Sequence, residues 1–340
     1  MNNTNSVFRR VKNRLNRLLN EKNKSDNITD INLGVDKYIY ATSPYISCIN
    51  ENDNIGIDGV NLTIMILSCN RVDSTIALLN SINTYIPNFK GTVLFADNNS
   101  NKEQLDILKN KIKEVPFKCE IVEFKENYGI AGGRQKAMEF VKTEWVMLID
   151  NDIYFTTNPL IKLQKDISTL GCHFINMPLM DETEKEIFTN GGNLYIDYRD
   201  ENNIFVNSGS VFSQCKCKKN TEFNPSLSTF IYGGTSVVKK ETFLKCGGFD
   251  DNMFIGFEDS DFSIRVFRQG YKIGNCGILA LVHNHGVPKD NSDIEYEKKR
   301  FSNVRLKESA MYFEKKNKFK VWNPGIEEWI NKRNKELNLK

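Results

Sequence analysis

The 340-residue sequence contains no apolar run near the roughly 20 residues that a helix needs to cross a bilayer. Its longest strongly apolar stretches, residues 145–149 and 278–282, have the length of single strands. An excess of one charge is also missing: 46 Lys and Arg stand against 43 Asp and Glu, which argues against a dedicated nucleic-acid-binding protein. With 40% apolar and 26% charged residues, the composition excludes disorder of the whole chain.

A secretory signal and a cysteine framework are missing as well. The basic N-terminal segment is not followed by the apolar stretch of a signal peptide, so we expect a cytoplasmic protein. The eight cysteines are scattered through a long chain, and we expect reduced thiols rather than disulfides. Cys215 and Cys217 form a close pair, but no further ligands at metal spacing accompany them, so we predict no zinc site there.

Residues 1–60 differ in composition from the rest of the chain. In residues 1–24, apolar side chains recur at helical spacing among seven Lys or Arg residues and a single Glu. Such a basic amphipathic helix can bind the surface of an anionic membrane, or it can pack on the domain or on a partner. We therefore expect three regions: an N-terminal extension over 1–60, a main domain over 61–286 and a helical C-terminal extension over 287–340.

From residue 61 onward, strand-length apolar runs alternate with helical patterns. Strands are predicted near residues 62–67, 92–96, 119–124 and 145–149, with helices between them. Strands that are apolar on both faces and alternate with helices indicate a parallel sheet that helices cover. The sequence thus predicts an α/β fold with a Rossmann-like, mostly parallel central sheet flanked by helices.

Polar residues follow each predicted strand. In sheets of this kind, ligands bind beyond the carboxyl ends of the strands, so these residues are expected to share one crevice. The candidates at the strand ends are Ser68, Asn70, Arg71, Asp97, Asn99, Asn127, Gly129, Asp150, Asn151 and Asp152.

The spacing of Asp150 and Asp152 suits a metal site. Two carboxylates two residues apart at a strand end can hold Mg²⁺ or Mn²⁺ and leave room for phosphate oxygens. Such a triplet also arises by chance, and a second one stands at residues 259–261. Position favours the first, because it follows a predicted core strand beside other polar strand ends.

A glycine-rich turn at residues 127–134 enters a predicted helix. Glycines let the backbone approach a ligand, the helix N-terminus attracts an anion, and Arg134 adds a charge that suits phosphate. The turn does not follow the dinucleotide-binding or phosphate-loop patterns. Because glycine is common at helix starts, a purely structural turn is the alternative.

Three acids, Glu258, Asp259 and Asp261, begin a predicted helix in an aromatic setting. They could cap the helix and offset its dipole. Alternatively, a carboxylate among aromatic side chains can have a raised pKa and accept a proton from an acceptor hydroxyl. Further along, His283 and His285 alternate along an extended segment, so at most one is expected to reach the site, where an imidazole could complete a metal site or contact a diphosphate.

In this order and spacing, the segments resemble inverting glycosyltransferases of family 2, which have the nucleotide-diphospho-sugar transferase fold called GT-A. The resemblance spans residues 62–286, about two thirds of the chain. It is carried by the segments Ser68-Cys69-Asn70-Arg71, Asp97-Asn98-Asn99-Ser100, Asn127-Tyr128-Gly129, Gly132-Gly133-Arg134, Asp150-Asn151-Asp152, Gly233-Gly234-Thr235, Glu258-Asp259-Ser260-Asp261-Phe262 and His283.

The resemblance implies a role for each candidate. Asp259 matches the catalytic base, with Glu258 as its neighbour. Asp152 is implied as the better ligand of a Mn²⁺ or Mg²⁺ ion, with Asp150 in the same motif and His283 closing the site near the metal. Nucleotide-sugar binding is implied for Ser68, Asn70, Arg71, Asp97, Asn99, Asn127, Gly129, Arg134, Asp150, Asn151, Gly233 and Gly234.

The implied reaction is a single displacement that inverts the anomeric carbon of a nucleotide-diphospho-sugar, with a UDP-sugar as the expected donor. Asp97 would meet the nucleotide base, and Gly233 and Gly234 would shape the sugar and acceptor pocket. The implied acceptor is a glycan, a lipid-linked molecule or a protein, in bacterial cell-surface polysaccharide or glycolipid assembly or in protein glycosylation. Two alternatives stay open: a sugar nucleotidyltransferase, and a non-catalytic nucleotide-sugar-binding protein on the same fold.

Overall fold

The computed structural model describes residues 53–210, 213–284, 294–295, 297–298 and 302–336. The expected membrane-surface helix near the N-terminus and His285 both lie outside these residues. Within the described ranges, no helix combines the length and the apolar character that a membrane crossing requires.

Most strands are short, apart from those of the predicted parallel sheet and one long hairpin. The strands are β1 (Leu62–Ser68), β2 (Thr92–Asp97), β3 (Lys118–Glu123), β4 (Trp145–Asp150), β5 (Ile153–Phe155), β6 (Phe174–Asn176), β7 (Leu179–Met180), β8 (Ile187–Thr189), β9 (Gly192–Asp200), β10 (Asn203–Ser210), β11 (Ser226–Ser228), β12 (Thr235–Lys239), β13 (Ile273–Asn275) and β14 (Leu281–His283).

Helices connect the first strands and follow the last ones. They are α1 (Val72–Tyr85), α2 (Lys102–Lys111), α3 (Gly129–Ala137), α4 (Leu160–Leu170), α5 (Lys240–Lys245), α6 (Glu258–Arg268), α7 (Asn303–Asn317) and α8 (Pro324–Glu336), with short 3-10 turns at Ile112–Glu114 and Met138–Phe140.

Strands β1 to β4 confirm the predicted parallel arrangement. They form one side of an eight-stranded sheet with the order β11-β13-β6-β12-β4-β1-β2-β3, and every pair among the four is parallel. Ile64 and Met65, which point to opposite faces of β1, are both buried because helices cover the two sides of the sheet. Beyond β4 the direction changes, since β12 is antiparallel to both β4 and β6. The sheet is therefore mostly, not wholly, parallel, as predicted.

The register of the parallel strands brings their polar ends together. Ser68 pairs with Asp97 across β1 and β2, and Leu67 pairs with Asp150 across β1 and β4. Because neighbouring parallel strands end at the same level, the side chains that follow them share one edge of the sheet, as the sequence predicted.

A second, smaller sheet with the order β5-β14-β7-β8 brings a distant part of the chain to the same edge. In it, β14 is antiparallel to β5, and His283 pairs with Ile153. The residue before Ile153 is Asp152, so this pairing sets the imidazole beside the carboxylate that ends the β4 turn.

Residues 53–60, which the sequence assigned to the N-terminal extension, contact the main domain. Ile55 is fully buried in the core cluster that contains Trp145. Asp53 is buried, forms an ion pair with Lys239, and its Oδ2 lies 3.6 Å from His173 Nε2. The part of the predicted extension that the structure describes is thus packed on the sheet.

Helix α7 is fixed to helix α6 by buried polar and apolar contacts. Asp261 of α6 is fully buried and accepts hydrogen bonds from Asn317 Nδ2 at 2.8 Å and Lys316 Nζ at 2.9 Å. Beside this contact, the fully buried ring of Phe313 packs in a cluster with Ile264 of α6. The C-terminal helices therefore contribute to the fold around the three acids that begin α6.

This packing predicts a large loss of stability when the buried ring of α7 is removed. Phe313→Ala is expected to lower the free energy of unfolding by roughly 3–5 kcal/mol, because the ring is lost from a closed cluster. Met311→Ala is the matched control, since Met311 lies on the same helix but is 71% exposed, and a change below about 0.5 kcal/mol is expected. Urea unfolding measures both, and equal losses would contradict the packing of α7 described above.

Candidate active site

A cavity of about 120 Å³ opens beyond the carboxyl ends of β1, β2 and β4, and we call it the strand-end cavity. Its lining combines carboxylates, two guanidinium groups, amides and an imidazole with a few apolar side chains. The lining residues are Leu67, Ser68, Cys69, Arg71, Asn98, Asn127, Gly129, Ile130, Arg134, Asp150, Asn151, Asp152, Phe254, Ile255 and His283.

Nine of the residues predicted from the sequence line this cavity. They are Ser68, Arg71, Asn127, Gly129, Arg134, Asp150, Asn151, Asp152 and His283.

The remaining candidates lie around the cavity rather than on its wall. Asn70 and Asp97 line a much smaller adjoining space of about 10 Å³. Asn99, Gly233, Gly234, Glu258 and Asp259 are not on the cavity wall, and the glycines and acids lie behind Arg134 and Asp150.

Asn70 and Asp97 form hydrogen bonds within the loops that border the cavity. Asp97 is buried, and its carboxylate accepts from the Ser100 N–H at 3.1 Å. Burial raises the pKa of Asp97, and hydrogen bonding to Ser100 only partly opposes this shift. Asn70 donates its N–H to Ser100 Oγ at 2.7 Å and accepts from the Asn101 N–H at 2.9 Å. The Asn70 side chain therefore joins the loops after β1 and β2, whereas the Asp97 side chain fixes the loop after β2 alone.

Asn98 is a lining residue that the sequence interpretation did not select. It is 3% exposed, and its Nδ2 donates to Asn127 Oδ1 at 3.1 Å and to the Gly129 carbonyl at 2.9 Å. Its Oδ1 accepts from the Tyr128 N–H at 2.9 Å. Asn98 thus fixes the turn before α3, and its place between Asp97 and Asn99 was the available signal.

Two arginine–carboxylate pairs lie on the cavity wall. Arg134 Nη2 lies 2.5 Å from Asp150 Oδ1, and the arginine side chain is only 5% exposed. Arg71 Nη1 lies 3.6 Å from Asp152 Oδ2, with both side chains below 10% exposure. The two guanidinium groups give the cavity positive charge suited to a diphosphate, and the two carboxylates offset it.

Asp152 and His283 lie next to each other on the cavity wall. His283 Nε2 lies 3.5 Å from Asp152 Oδ1, and the Asn284 N–H donates to the Asp152 carbonyl at 2.8 Å, which fixes the turn. A carboxylate oxygen and an imidazole nitrogen form a donor set that Mn²⁺ accepts. Among the described residues, no group of three Asp, Glu, His or Cys side chains converges on one point. The pair therefore fits a divalent ion whose other ligands come from phosphate and water.

Two acids at the start of α6 lie next to Arg134: Glu258 is buried, and Asp259 is half-buried. Asp259 Oδ1 accepts from the Gly233 N–H at 3.0 Å, a donor that lies outside α6, so this oxygen does not cap the helix. Glu258 is 5% exposed, and no described residue forms a hydrogen bond with its buried Oε2. Burial raises the pKa of Asp259 to about 8, and the charge of Glu258 acts in the same direction, while Arg134 opposes it. Burial likewise raises the pKa of Glu258.

Gly233 and Gly234 allow these charged groups to approach the backbone. A Cβ atom on Gly233 would lie 2.5 Å from Arg134 Nη1 and 2.6 Å from Asp259 Oδ1. A Cβ atom on Gly234 would lie 2.1 Å from Asp150 Oδ2. Neither position has room for a side chain. The two glycines therefore let Arg134 and the carboxylates of Asp150 and Asp259 lie close together.

Comparison with known proteins identifies this arrangement. The model for "Glycosyl transferase family 2" matches residues 63–243, and one for "N-terminal domain of galactosyltransferase" matches residues 215–282. No curated protein sequence matches the chain.

Solved structures share the fold at low sequence identity. The structure of GalNAc-T7 with UDP, GalNAc and Mn²⁺ is 15% identical, with a TM-score of 0.52, and the match covers 90% of this chain and 64% of that one. The Pyrobaculum calidifontis mannosyltransferase PcManGT with GDP-Man and Mn²⁺ is 14% identical, with a TM-score of 0.50 and coverage of 92% and 79%. S. aureus TarS 1-349 is 13% identical, with a TM-score of 0.47 and coverage of 72% and 65%.

The chain spans less than two thirds of the GalNAc-T7 and TarS chains. The neighbours with TM-scores of 0.52 and 0.50 share with it the GT-A fold that the sequence predicted. Because the family model covers more than half of the sequence and includes the strand ends that form the cavity, the chain belongs to glycosyl transferase family 2.

Proposed function

We propose that this protein transfers a sugar from a nucleotide-diphospho-sugar to an acceptor hydroxyl and inverts the anomeric carbon. The observation that carries the proposal is the half-buried carboxyl of Asp259 with its raised pKa, held behind a cavity that combines two guanidinium groups with an Asp–His pair. The cavity fits the charged part of a donor, and the carboxyl fits a proton acceptor for the attacking hydroxyl. Family membership supports this reading.

The donor's diphosphate is proposed to bind between Arg71, Arg134 and the N-terminus of α3. Helix α3 begins at Gly129 on the cavity wall, and the dipole of the helix favours an anion near this end. The related GalNAc-T7 and PcManGT structures contain UDP and GDP-Man, and a UDP-sugar is the first donor to test. Ser68 and Asn127 line the same wall, whereas Asp97 reaches the base only if the loop after β2 rearranges.

Asp152 and His283 are the residues proposed to hold Mn²⁺ or Mg²⁺. The related GalNAc-T7 and PcManGT structures contain Mn²⁺, and the Asp–His pair fits such an ion. When bound, the ion would offset charge on the diphosphate as it departs. Asp150 is the weaker candidate ligand, because Arg134 already occupies one of its oxygens at 2.5 Å.

The remaining roles in the reaction, proton acceptance and charge stabilisation, are proposed for two acids and an arginine of the chain. Asp259, as a carboxylate, accepts the proton of the acceptor hydroxyl, and Glu258 helps to keep the pKa of Asp259 high. Arg134 offsets the negative charge that collects on the leaving diphosphate. The acceptor class, bacterial surface polysaccharide, glycolipid or protein, and a peripheral membrane contact through residues 1–24 stay predictions.

The alternatives are less well supported. A sugar nucleotidyltransferase usually has a glycine-rich basic loop after its first strand, and residues 68–73 contain no glycine. A non-catalytic binding protein does not require a carboxyl such as Asp259, whose pKa is about 8. Such strongly raised pKa values lower stability and are common at catalytic sites.

A thermal-shift screen tests the proposal directly. UDP-, GDP- and dTDP-sugars are added to the full chain with and without Mn²⁺, and a donor that binds the folded state raises the melting temperature. We expect one nucleotide class to stabilise the protein only when Mn²⁺ is present. Release of free sugar from that donor then separates a transferase from a binding protein, and no shift with any donor would contradict the proposal.

Asp259→Asn tests the catalytic base. The amide keeps the shape of the side chain and can still accept from the Gly233 N–H, but it cannot take a proton. We expect near-normal donor affinity and a transfer rate lower by roughly 10²- to 10⁴-fold, with a smaller loss for Glu258→Gln. Calorimetry gives the affinity, and a transfer assay gives the rate. Wild-type turnover by Asp259→Asn would remove Asp259 from the mechanism.

The raised pKa of Asp259 also predicts how stability depends on pH. The folded chain keeps this proton up to about pH 8, whereas the unfolded chain releases it near the ordinary value of 3.8. Because the folded state binds the proton more tightly, the contribution of this group to the free energy of unfolding falls as pH rises between those values. Asp259→Asn escapes that fall, so calorimetry should show its Tm advantage over wild type growing from pH 5 to pH 8. Asp106→Asn, an exposed control, should show no such trend. A Tm difference between Asp259→Asn and wild type that stays constant from pH 5 to pH 8 would contradict the raised pKa of Asp259.

Asp152→Ala tests the metal site. Loss of the carboxylate should abolish the Mn²⁺-dependent part of the thermal shift with the bound donor and lower transfer to background, since one of two protein ligands is gone. Asp106→Ala, which changes an exposed acid on α2, should leave both readouts unchanged. Full transfer in excess chelator, or an unchanged Mn²⁺ response in Asp152→Ala, would exclude the ion from this position.

A further inference from the structure

The hairpin formed by β9 and β10 presents two different faces. Its strands pair antiparallel over residues 192–210, and successive side chains alternate between the faces. On one face, Leu194 and Val206 pack into the cluster that contains Phe313 of α7. On the other face, Tyr195 is 53% exposed. The hairpin is therefore anchored on the C-terminal helices and turns an aromatic side chain outward.

The direction of the Tyr195 ring is fixed by a cross-strand glycine. Tyr195 pairs with Asn207, and its ring lies over Gly209, where an added Cβ would come within 3.0 Å of the ring. Gly209 lies two residues further along β10, toward the base of the hairpin, so the ring leans away from the hairpin tip and toward Tyr232.

Tyr232 joins the base of the hairpin to the proposed catalytic base. Its hydroxyl forms a hydrogen bond of 2.8 Å with Ser210 Oγ and accepts from Thr189 Oγ1 at 3.3 Å. The next residue is Gly233, whose N–H donates to Asp259. Burial is the main cause that raises the pKa of Tyr232, and Asp259 and Tyr195 are both close enough to raise it further.

Phe188 of β8 lies beside the proposed metal site. Its ring is 40% exposed and stands edge-on to His283, with the ring centroids 4.7 Å apart. Thr189, the next residue on β8, is the one that contacts Tyr232. We call Phe188, Tyr232 and Tyr195 the aromatic rim; they lie beside His283, beside Gly233 and on the hairpin, respectively.

We propose that the aromatic rim binds a carbohydrate acceptor, with a pyranose ring stacked on Tyr195, an inference that rests on the proposed function. A pyranose has C–H groups on its faces and hydroxyls around its edge. The rim offers the matching surface: partly exposed ring faces beside the hydroxyls of Tyr232 and Ser210. A lipid tail requires a continuous aliphatic surface instead, and this rim is interrupted by hydroxyl groups. The acceptor is therefore a glycan, either free or lipid-linked, and its attacking hydroxyl is held on the Asp259 side.

The test compares two tyrosines of the same strand. Tyr198 is also 53% exposed, but it points to the opposite face of the hairpin, so Tyr198→Ala is the matched control for Tyr195→Ala. Two further variants separate stacking from bulk: Tyr195→Phe keeps the ring, and Tyr195→Leu keeps an apolar side chain without one. Each variant is assayed as the full chain with the donor found by the thermal-shift screen. The acceptor probes are a panel of aryl mono- and disaccharides, their lipid-linked forms, and Ser/Thr-containing peptides.

We expect Tyr195→Ala and Tyr195→Leu to raise the KM for the best carbohydrate probe about tenfold, because the stacked ring is lost. The donor KM and the rate of donor hydrolysis should stay within about twofold, and Tyr195→Phe and Tyr198→Ala should behave as wild type. Equal acceptor KM values for Tyr195→Ala and Tyr198→Ala would overturn the assignment, and so would rescue by Tyr195→Leu.

Two outcomes separate this inference from the proposed function. Transfer to peptides but to no carbohydrate probe would overturn the carbohydrate assignment and leave the transferase intact. Absence of any donor binding or hydrolysis in the wild type would instead contradict the transferase function, and the acceptor assignment would fall with it. Equal transfer to free and lipid-linked forms of one sugar would show that the rim recognises the glycan alone.

Discussion

The candidate site depends on a buried guanidinium that faces three carboxyl groups. Arg134 pairs with Asp150 at 2.5 Å, and its charge also acts on Glu258 and Asp259 behind it. One positive charge cannot compensate three negative charges, of which Glu258 is buried and Asp150 and Asp259 are partly exposed, and uncompensated charge at such a site lowers stability. The folded chain therefore favours a proton on this group of acids, which the raised pKa of Asp259 expresses. The same imbalance that costs stability creates a carboxyl able to exchange a proton near neutral pH.

The surrounding fold keeps these charges together. Gly233 and Gly234 leave the space that Arg134 and the acids occupy, and any side chain there would force them apart. Helix α6, which carries Glu258 and Asp259, is held from behind by Asp261, whose carboxylate accepts hydrogen bonds from two residues of α7. The C-terminal helices thus support the site without lining the strand-end cavity, because they fix the helix that carries the acids.

The sequence predicted the parts of this molecule that depend on local patterns. Apolar runs alternating with helical periods predicted β1 to β4 and the edge where their polar ends meet, and nine of the selected residues line the resulting cavity. It could not predict that Asn70 joins the bordering loops, because its hydrogen bonds link segments about 30 residues apart. Nor did it predict that Asp97 turns back into its own loop to accept from Ser100. Nor did any periodic pattern mark Asn98 or Tyr195. Their positions follow from a turn and from a hairpin register that only the folded chain defines.

The two proposed binding regions differ in what fixes them. Residues of the strand-end cavity follow strands whose register the central sheet sets, so their mutual distances change only if the sheet changes. The aromatic rim instead combines β8, the segment before β12 and a hairpin whose buried face rests on α7. Substitutions on the outward face of that hairpin leave the sheet and its core untouched. The architecture therefore separates the proposed donor side, which the sheet fixes, from a proposed acceptor side that can vary without cost to the fold, with Asp259 between them.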